Sequence, residues 1–193
     1  MNRFFFLVLV GAFGALALVT QVVLLRQLLV AFYGSEMVIA LVLAGWLAGI
    51  FIGARAMGLI KPARRLKVWL SVAAPLWPAV LFTLLAVSFF ISGLTGLVPG
   101  EVAPLHTILV WVLILTGPAS LFVGGLFVLA GSYWNDNFNP KGARRQGVGG
   151  TIFWVESAGS CLGLFFYTFF LVGRVGPIQV LALFSGVVLL AQS

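Results

Sequence analysis

Long apolar runs recur along this chain, and their length constrains the fold more than any other feature of the sequence. The first runs from Phe4 to Phe32, and a second follows the break at Tyr33-Gly34-Ser35. A helix needs about 20 apolar residues to cross the hydrocarbon core of a bilayer. The runs are continuous, whereas the strands of a membrane barrel alternate apolar and polar residues. The sequence therefore predicts an all-α integral membrane protein.

The composition agrees with a membrane location. Hydrophobic residues make up 62% of the chain and charged residues 8%. A soluble domain carries roughly 25% charged residues, so this inventory cannot cover a water-facing surface. The net charge of +7 arises from basic residues beside apolar runs, which topology explains better than a nucleic-acid partner does. The expected partner is the lipid bilayer, and no nucleic-acid binding is expected.

Six apolar segments are separated by short stretches that contain polar residues, glycine or proline. We predict six transmembrane helices within a single helical domain covering residues 1–193. Their approximate bounds are 4–32, 36–58, 68–92, 105–131, 151–172 and 177–191.

The basic residues fix the predicted orientation. With the N-terminus in the cytoplasm, the other side of the membrane holds Arg174 and, some way into the membrane, Arg26. Lysine and arginine accumulate in cytoplasmic loops, so this bias places both the N- and C-termini in the cytoplasm. The cytoplasmic side then holds the remaining basic residues: Arg3, Arg55, Lys61, Arg64, Arg65, Lys67, Lys141, Arg144 and Arg145.

The first hairpin contains polar groups at its outer end. Arg26 lies about 9 Å below the end of span 1 at 1.5 Å per residue, and Glu36 begins span 2 on the same side. A charge at this depth should face other helices or extend to the interface, because exposure to lipid is costly. We expect Arg26 and Glu36 to form an ion pair, which Gln21 could extend. The alternative is a polar pocket for a charged ligand.

A second intramembrane pair is expected near the cytoplasmic side. Glu156 lies five residues into span 5, at a depth that matches Arg55 near the end of span 2. Pairing would tie spans 2 and 5 together. The alternative reading is a relay for a proton or a substrate.

Glycines at four-residue spacing indicate close helix packing. Gly45, Gly49 and Gly53 form two overlapping Gly-x-x-x-Gly steps on span 2, and Gly159 and Gly163 form another on span 5. Small residues at this spacing let helix backbones approach each other in membranes. We expect these faces to bury spans 2 and 5 inside the bundle.

No catalytic or metal site is expected. The chain has one histidine and no cysteine pair, so a zinc or haem site built wholly from this chain is not expected. His106 as a single ligand to a cofactor on a partner chain remains an alternative, and Cys161 is read as a packing residue. No Ser-His-Asp set or carboxylate pair occurs on one element. No cofactor is expected, and the chain itself is not expected to be an enzyme.

Two stretches resemble a known family. The run QVVLLRQLLVAFYGSEMVIALVLAGWLAGIFIGA and the later run TIFWVESAGSCLGLFFYTFFLVGRVGP are similar to the multi-span N-terminal region of bacterial spermidine synthase-like membrane proteins. The resemblance implies a location in the bacterial cytoplasmic (inner) membrane. It also implies the family-type positions Gln21, Arg26, Gly34, Glu36, Gly45, Glu156, Gly159 and Gly163.

The soluble aminopropyltransferase-type domain that often follows in that family has no counterpart in this sequence. The expected function is therefore a non-catalytic membrane subunit or anchor that holds other membrane-complex subunits. Two alternatives remain open. One is a transporter or small-molecule carrier, since six spans also resemble half of a major-facilitator transporter. The other is the membrane half of a polyamine-related transferase, with the chemistry on another domain.

Overall fold

The computed structural model describes residues 2–59, 66–96, 103–138 and 148–190, and these residues are helical apart from short connections. The predicted all-α class is confirmed, and no strand occurs within those ranges. Most of the basic loop residues lie outside the described part. The helices are α1 (Arg3–Ala31), α2 (Glu36–Leu59), α3 (Leu66–Thr95), α4 (Leu105–Phe138), α5 (Val148–Phe166, continued by a π-helical turn, Tyr167–Leu171) and α6 (Pro177–Leu190).

A compact turn joins α1 to α2 at the predicted break. Tyr33 and Gly34 have positive φ angles of 52° and 79°. The Gly34 N–H donates to the Leu29 carbonyl oxygen at 2.8 Å, and the Tyr33 N–H donates to that of Val30 at 3.4 Å. This pattern is a Schellman motif, which satisfies the last carbonyl groups of a helix. Glycine is favoured at Gly34 because its φ is one that other residues rarely adopt.

Four helical segments are long and apolar enough to cross a membrane: α1, α2, α4 and residues 150–171. Two further apolar stretches, Trp77–Ile91 of α3 and Pro177–Leu190 of α6, lie within the described residues. A membrane protein with several spanning helices is therefore supported.

α1 and α5 lie side by side and run in the same direction. Gly159 faces Gly11, and Gly163 faces Ala15 one turn further along both helices. A Cβ built on Gly159 would overlap the carbonyl oxygen of Gly11, and one built on Gly163 would lie 2.6 Å from the Ala15 Cβ. These two glycines therefore permit the backbones to approach each other.

α2 and α4 form the second close pair and also run parallel. On α4, Gly124 lies against the backbone of Ile50, where a Cβ would overlap the carbonyl oxygen. The glycines of the predicted face on α2 meet α4 turn by turn: Gly45 beside Thr116, Gly49 beside Ser120 and Gly53 beside Leu121.

The central helix of the bundle is α1, which contacts each of the other helices. Its fully buried side chains include Leu16, Leu24 and Leu28. The glycine faces of α2 and α5 are covered by α4 and α1, as close packing requires, but both helices lie at the periphery. Their outer faces expose large apolar side chains such as Phe51 and Trp154, so the predicted burial of spans 2 and 5 inside the bundle is wrong.

The end of α4 extends beyond the predicted limit at residue 131 to Phe138. Tertiary contacts explain the extension. Tyr133, Trp134 and Phe138 surround the ring of Phe6 near the start of α1, with ring centroids 5.1–6.0 Å from it. The Arg3 guanidinium lies 4.8 Å from the Trp134 ring centroid. The polar residues of this segment predict an earlier end for the helix, but its aromatic side chains pack against α1.

Candidate functional site

Arg26 bonds to a residue of the last third of the chain. Its Nη1 donates a hydrogen bond of 3.0 Å to the hydroxyl oxygen of Tyr167, a side chain that is 5% exposed. The expected partner, Glu36, is exposed in the first turn of α2, and no ion pair joins the two within the described residues. Arg26 therefore ties α1 to the end of α5, and the predicted Arg26–Glu36 pair is not formed. Gln21 is half-buried on α1.

A pocket with a volume of about 370 Å³ opens beside this hydrogen bond. It lies between the later part of α1, the π-helical turn and the start of α6. We call it the Arg26 pocket. Its lining residues are Val23, Arg26, Gln27, Val30, Tyr167, Gly173, Arg174, Val175, Gly176 and Pro177.

The π-helical turn and the bend after it shape one wall of this pocket. The Val172 N–H donates to the Tyr167 carbonyl oxygen at 2.9 Å, five residues back, as in a π-helix. Such turns occur frequently at functional sites. Gly173 then has a φ of 79°, which reverses the chain and places Arg174 on the pocket lining. Pro177 begins α6, a position that suits its fixed φ.

The Arg26 pocket has a positive electrostatic character. Its described lining residues include two arginines, Arg26 and Arg174, and no acidic residue. The Tyr167 hydroxyl oxygen accepts a hydrogen bond from Arg26, so its own O–H remains available to donate. Arginine forms short, charge-assisted hydrogen bonds with phosphate and carboxylate groups. The chemistry of the pocket is therefore that of an anion site.

Glu156 lies at a separate place, between α5 and the bundle. Its backbone touches Gly14 of α1, where a Cβ would overlap the Glu156 carbonyl oxygen. One turn later, Ser160 Oγ donates a hydrogen bond of 2.9 Å to the Gly14 carbonyl oxygen. Glu156 is thus held where the backbones of α1 and α5 lie close together.

An apolar cavity of about 50 Å³ adjoins Glu156. Trp77 and Phe122 form part of its wall, with their rings stacked at a centroid distance of 4.2 Å. Sites for small organic ligands usually measure about 300–1,000 Å³. The cavity can hold water beside the carboxyl group, but it is too small for such a ligand in this conformation.

The predicted Arg55–Glu156 pair is not formed among the described residues. Arg55 is exposed near the end of α2. Its helix packs mainly on α4, whereas α5 packs mainly on α1. Two residues at equal depth in the membrane need not lie on neighbouring helices. Here α2 and α5 each pack against a different helix.

The residues considered for metal or redox chemistry are dispersed. His106 is exposed in the first turn of α4, and Cys161 is exposed on α5. In the ranges that the structure describes, no group of three or more histidine, cysteine, aspartate or glutamate side chains could hold a metal ion.

Several contacts at these sites were missed from the sequence. The sequence places Arg174 on the outer side without indicating a role for it. The signal available for Tyr167 is the presence of a tyrosine within an apolar span. The glycines of the partner helices, Gly14 and Gly124, were equally visible in the sequence.

Comparisons with protein families, with curated proteins and with solved structures find no match for this chain.

Proposed function

We propose that the chain is a six-span domain of the bacterial cytoplasmic membrane with both termini in the cytoplasm. The directions of the helices support this proposal, because a chain that crosses alternately must run its odd spans parallel and its even spans parallel. α1 and α5 are parallel, and so are α2 and α4. The outward faces are apolar along their length; on α5 and the π-helical turn they include Phe153, Trp154, Leu162, Phe165 and Phe169.

Its proposed role is that of a non-catalytic anchor that holds partner subunits in a membrane complex. The observation on which this rests is the filled interior of the bundle. Buried aliphatic side chains from α1, α2, α3, α4 and α6 form one continuous core. The cavity beside Glu156 measures only about 50 Å³. A packed interior suits a structural role, whereas a carrier needs a passage for its substrate.

The resemblance to spermidine synthase-like membrane proteins points to the kind of partner. In that family the membrane region accompanies a soluble transferase-type domain. A soluble transferase-type partner, or other membrane subunits, would then associate with this bundle. The chemistry of any polyamine-related reaction would belong to that partner.

The six-span topology predicts which positions can be reached from outside the cell. In a Cys161→Ser background, single cysteines at Ser35, Pro104 or Ile178 should react with a membrane-impermeant maleimide in intact spheroplasts. Single cysteines at Asn2 or Asp136 should react only after permeabilisation, because they lie at the opposite ends of their helices.

The matched control repeats the labelling with a membrane-permeable maleimide, which should label all five variants. Labelling of the Asn2 and Asp136 variants in intact spheroplasts would reverse the orientation. Labelling of the Ile178 variant only after permeabilisation would contradict the crossing by α5.

The anchor role predicts stable association with at least one other protein. Affinity purification of the tagged full chain in a mild detergent, followed by mass spectrometry, should recover a partner in near-equal molar amount. The reason is that a scaffold has no function unless its partners remain bound to it.

The control is an unrelated multi-span protein of similar size with the same tag, expressed and purified identically. A partner that also binds the control does not count. Recovery of the chain alone, both in mild detergent and after cross-linking in the membrane, would contradict the anchor role.

A carrier is the second candidate function, and the Arg26 pocket is the observation that favours it. A pocket of about 370 Å³ with two arginines could receive an anionic substrate at one end of the bundle. This candidate requires the filled core to open. Anion flux into proteoliposomes that contain only this chain, and loss of that flux in Arg26→Gln, would favour the carrier over the anchor.

A further inference from the structure

We propose that the Arg26 pocket binds a phosphate group. The inference goes beyond the anchor role, since an anchor needs no such ligand. The groups that would bind the phosphate come from three parts of the fold: α1, the π-helical turn and the bend before α6. The phosphate could belong to an anionic lipid headgroup or to a free phosphate compound.

The charges of the pocket favour an anion. Arg26 and Arg174 both line it although they are far apart in sequence, and the lining residues that the structure describes include no acidic side chain. Like charges that share a site repel each other. An anion between the two guanidinium groups would replace this repulsion with two attractions.

The number of donors favours a phosphate group. Arg26 is fixed at one end by its 3.0 Å hydrogen bond to Tyr167, which leaves other N–H groups of the guanidinium available. The Tyr167 hydroxyl can donate as well, and Arg174 lies in the bend after the π-helical turn, on the lining of the same pocket. A planar carboxylate has two oxygens. A phosphate group has more, and it can accept from more donors at once.

The position of the Arg26 pocket also suits a phosphate group. The pocket lies where α1 approaches its last turn and where α6 begins, so it is close to the ends of the helices. In a bilayer these ends lie near the level of the lipid headgroups. A headgroup phosphate can enter from the side, and a phosphate compound dissolved in water can enter from the end.

The experiment uses the full chain in nanodiscs and follows the midpoint of thermal unfolding by tryptophan fluorescence. Phosphatidylcholine discs are the reference, because the choline of this lipid neutralises its own headgroup phosphate and the lipid has no net charge. One arm adds inorganic phosphate to these discs, and the other replaces part of the lipid with phosphatidylglycerol. Native mass spectrometry of the protein released from the discs measures retained phosphatidylglycerol.

The test variants are Arg26→Gln, Arg174→Gln and Tyr167→Phe, with Arg55→Gln as the matched control. Arg55 is also an exposed arginine near a helix end, but it lies outside the pocket. Loss of one charge-assisted hydrogen bond should weaken binding about tenfold for either arginine variant. Tyr167→Phe should weaken it less, and Arg55→Gln should behave as the unaltered chain.

Each outcome decides the proposal. A rise in the unfolding midpoint with inorganic phosphate in phosphatidylcholine discs, lost in the Arg26 and Arg174 variants, identifies a free phosphate compound. A rise with phosphatidylglycerol alone, with retained lipid lost in the same variants, identifies a lipid headgroup. No rise in either arm, or an equal rise in the variants, overturns the site. Because the readout is ligand binding, this failure is distinct from failure to recover a partner.

Discussion

Replacing Gly159 by alanine should destabilise the bundle, whereas the same change at Gly11, across the same contact, should be tolerated. A Cβ on Gly159 would overlap the backbone carbonyl of Gly11, and backbone atoms cannot rotate away as a side chain can. A Cβ on Gly11 would lie 3.7 Å from the Val155 carbonyl oxygen, which is ordinary contact. Overpacking of this kind costs about 1–3 kcal/mol.

The measurement is the midpoint of thermal unfolding in detergent, read by size-exclusion chromatography of a fluorescent fusion. For a chain of this size the loss corresponds to a fall of about 2–10 °C in Gly159→Ala. Gly186→Ala serves as a second control, because a Cβ on Gly186 of α6 meets no atom within 4 Å. Equal midpoints for Gly159→Ala and Gly11→Ala would show that α1 and α5 do not approach as described.

A similar loss is expected at the other parallel pair, where Gly53→Ala and Gly124→Ala should each separate α2 from α4. A Cβ on Gly53 would overlap the Leu121 carbonyl oxygen, and one on Gly124 would overlap that of Ile50. Each change should lower the free energy of unfolding by about 1–3 kcal/mol. The two changes act on one crossing, so a backbone shift that relieves the first also makes room for the second.

The double variant tests this coupling. Its loss of stability should be smaller than the sum of the two single losses, by about 0.5 kcal/mol or more. Gly131→Ala is the matched control on α4, because a Cβ there meets nothing within 4 Å. Full additivity of the two changes, or a loss as large in Gly131→Ala, would contradict a shared crossing point.

The class of the fold and most helix limits were predictable from the sequence because they depend on local properties. The lengths of the apolar runs predicted the helices, and the break at Tyr33-Gly34 predicted the first turn. The partners of each helix were not predictable. Lipid is as apolar as the side chains, so no polarity pattern marks which apolar face meets another helix. The glycines identified a packing face on α2 without identifying α4 as the helix that covers it.

The candidate site shows the same limit. The depth of Arg26 predicts that it faces other helices or extends to the interface, and Glu36 is the acidic residue nearest to it in sequence. The observed hydrogen bond joins residues that are 141 positions apart. Such a contact depends on the order in which the helices are arranged around α1. That order depends on many close contacts between helix backbones. None of these contacts has a distinctive signal in the sequence.

The parallel arrangement of α1 and α5 has a consequence for synthesis in the cell. Parallel neighbours cannot form a hairpin, so α1 must enter the bilayer and remain without its closest partner while three further helices are made. α2 and α4 can associate earlier, once the chain between them has been inserted. The contact between α1 and α5 therefore closes late during translation, and until then Gly11, Gly14 and Arg26 face lipid, the insertion machinery or a chaperone.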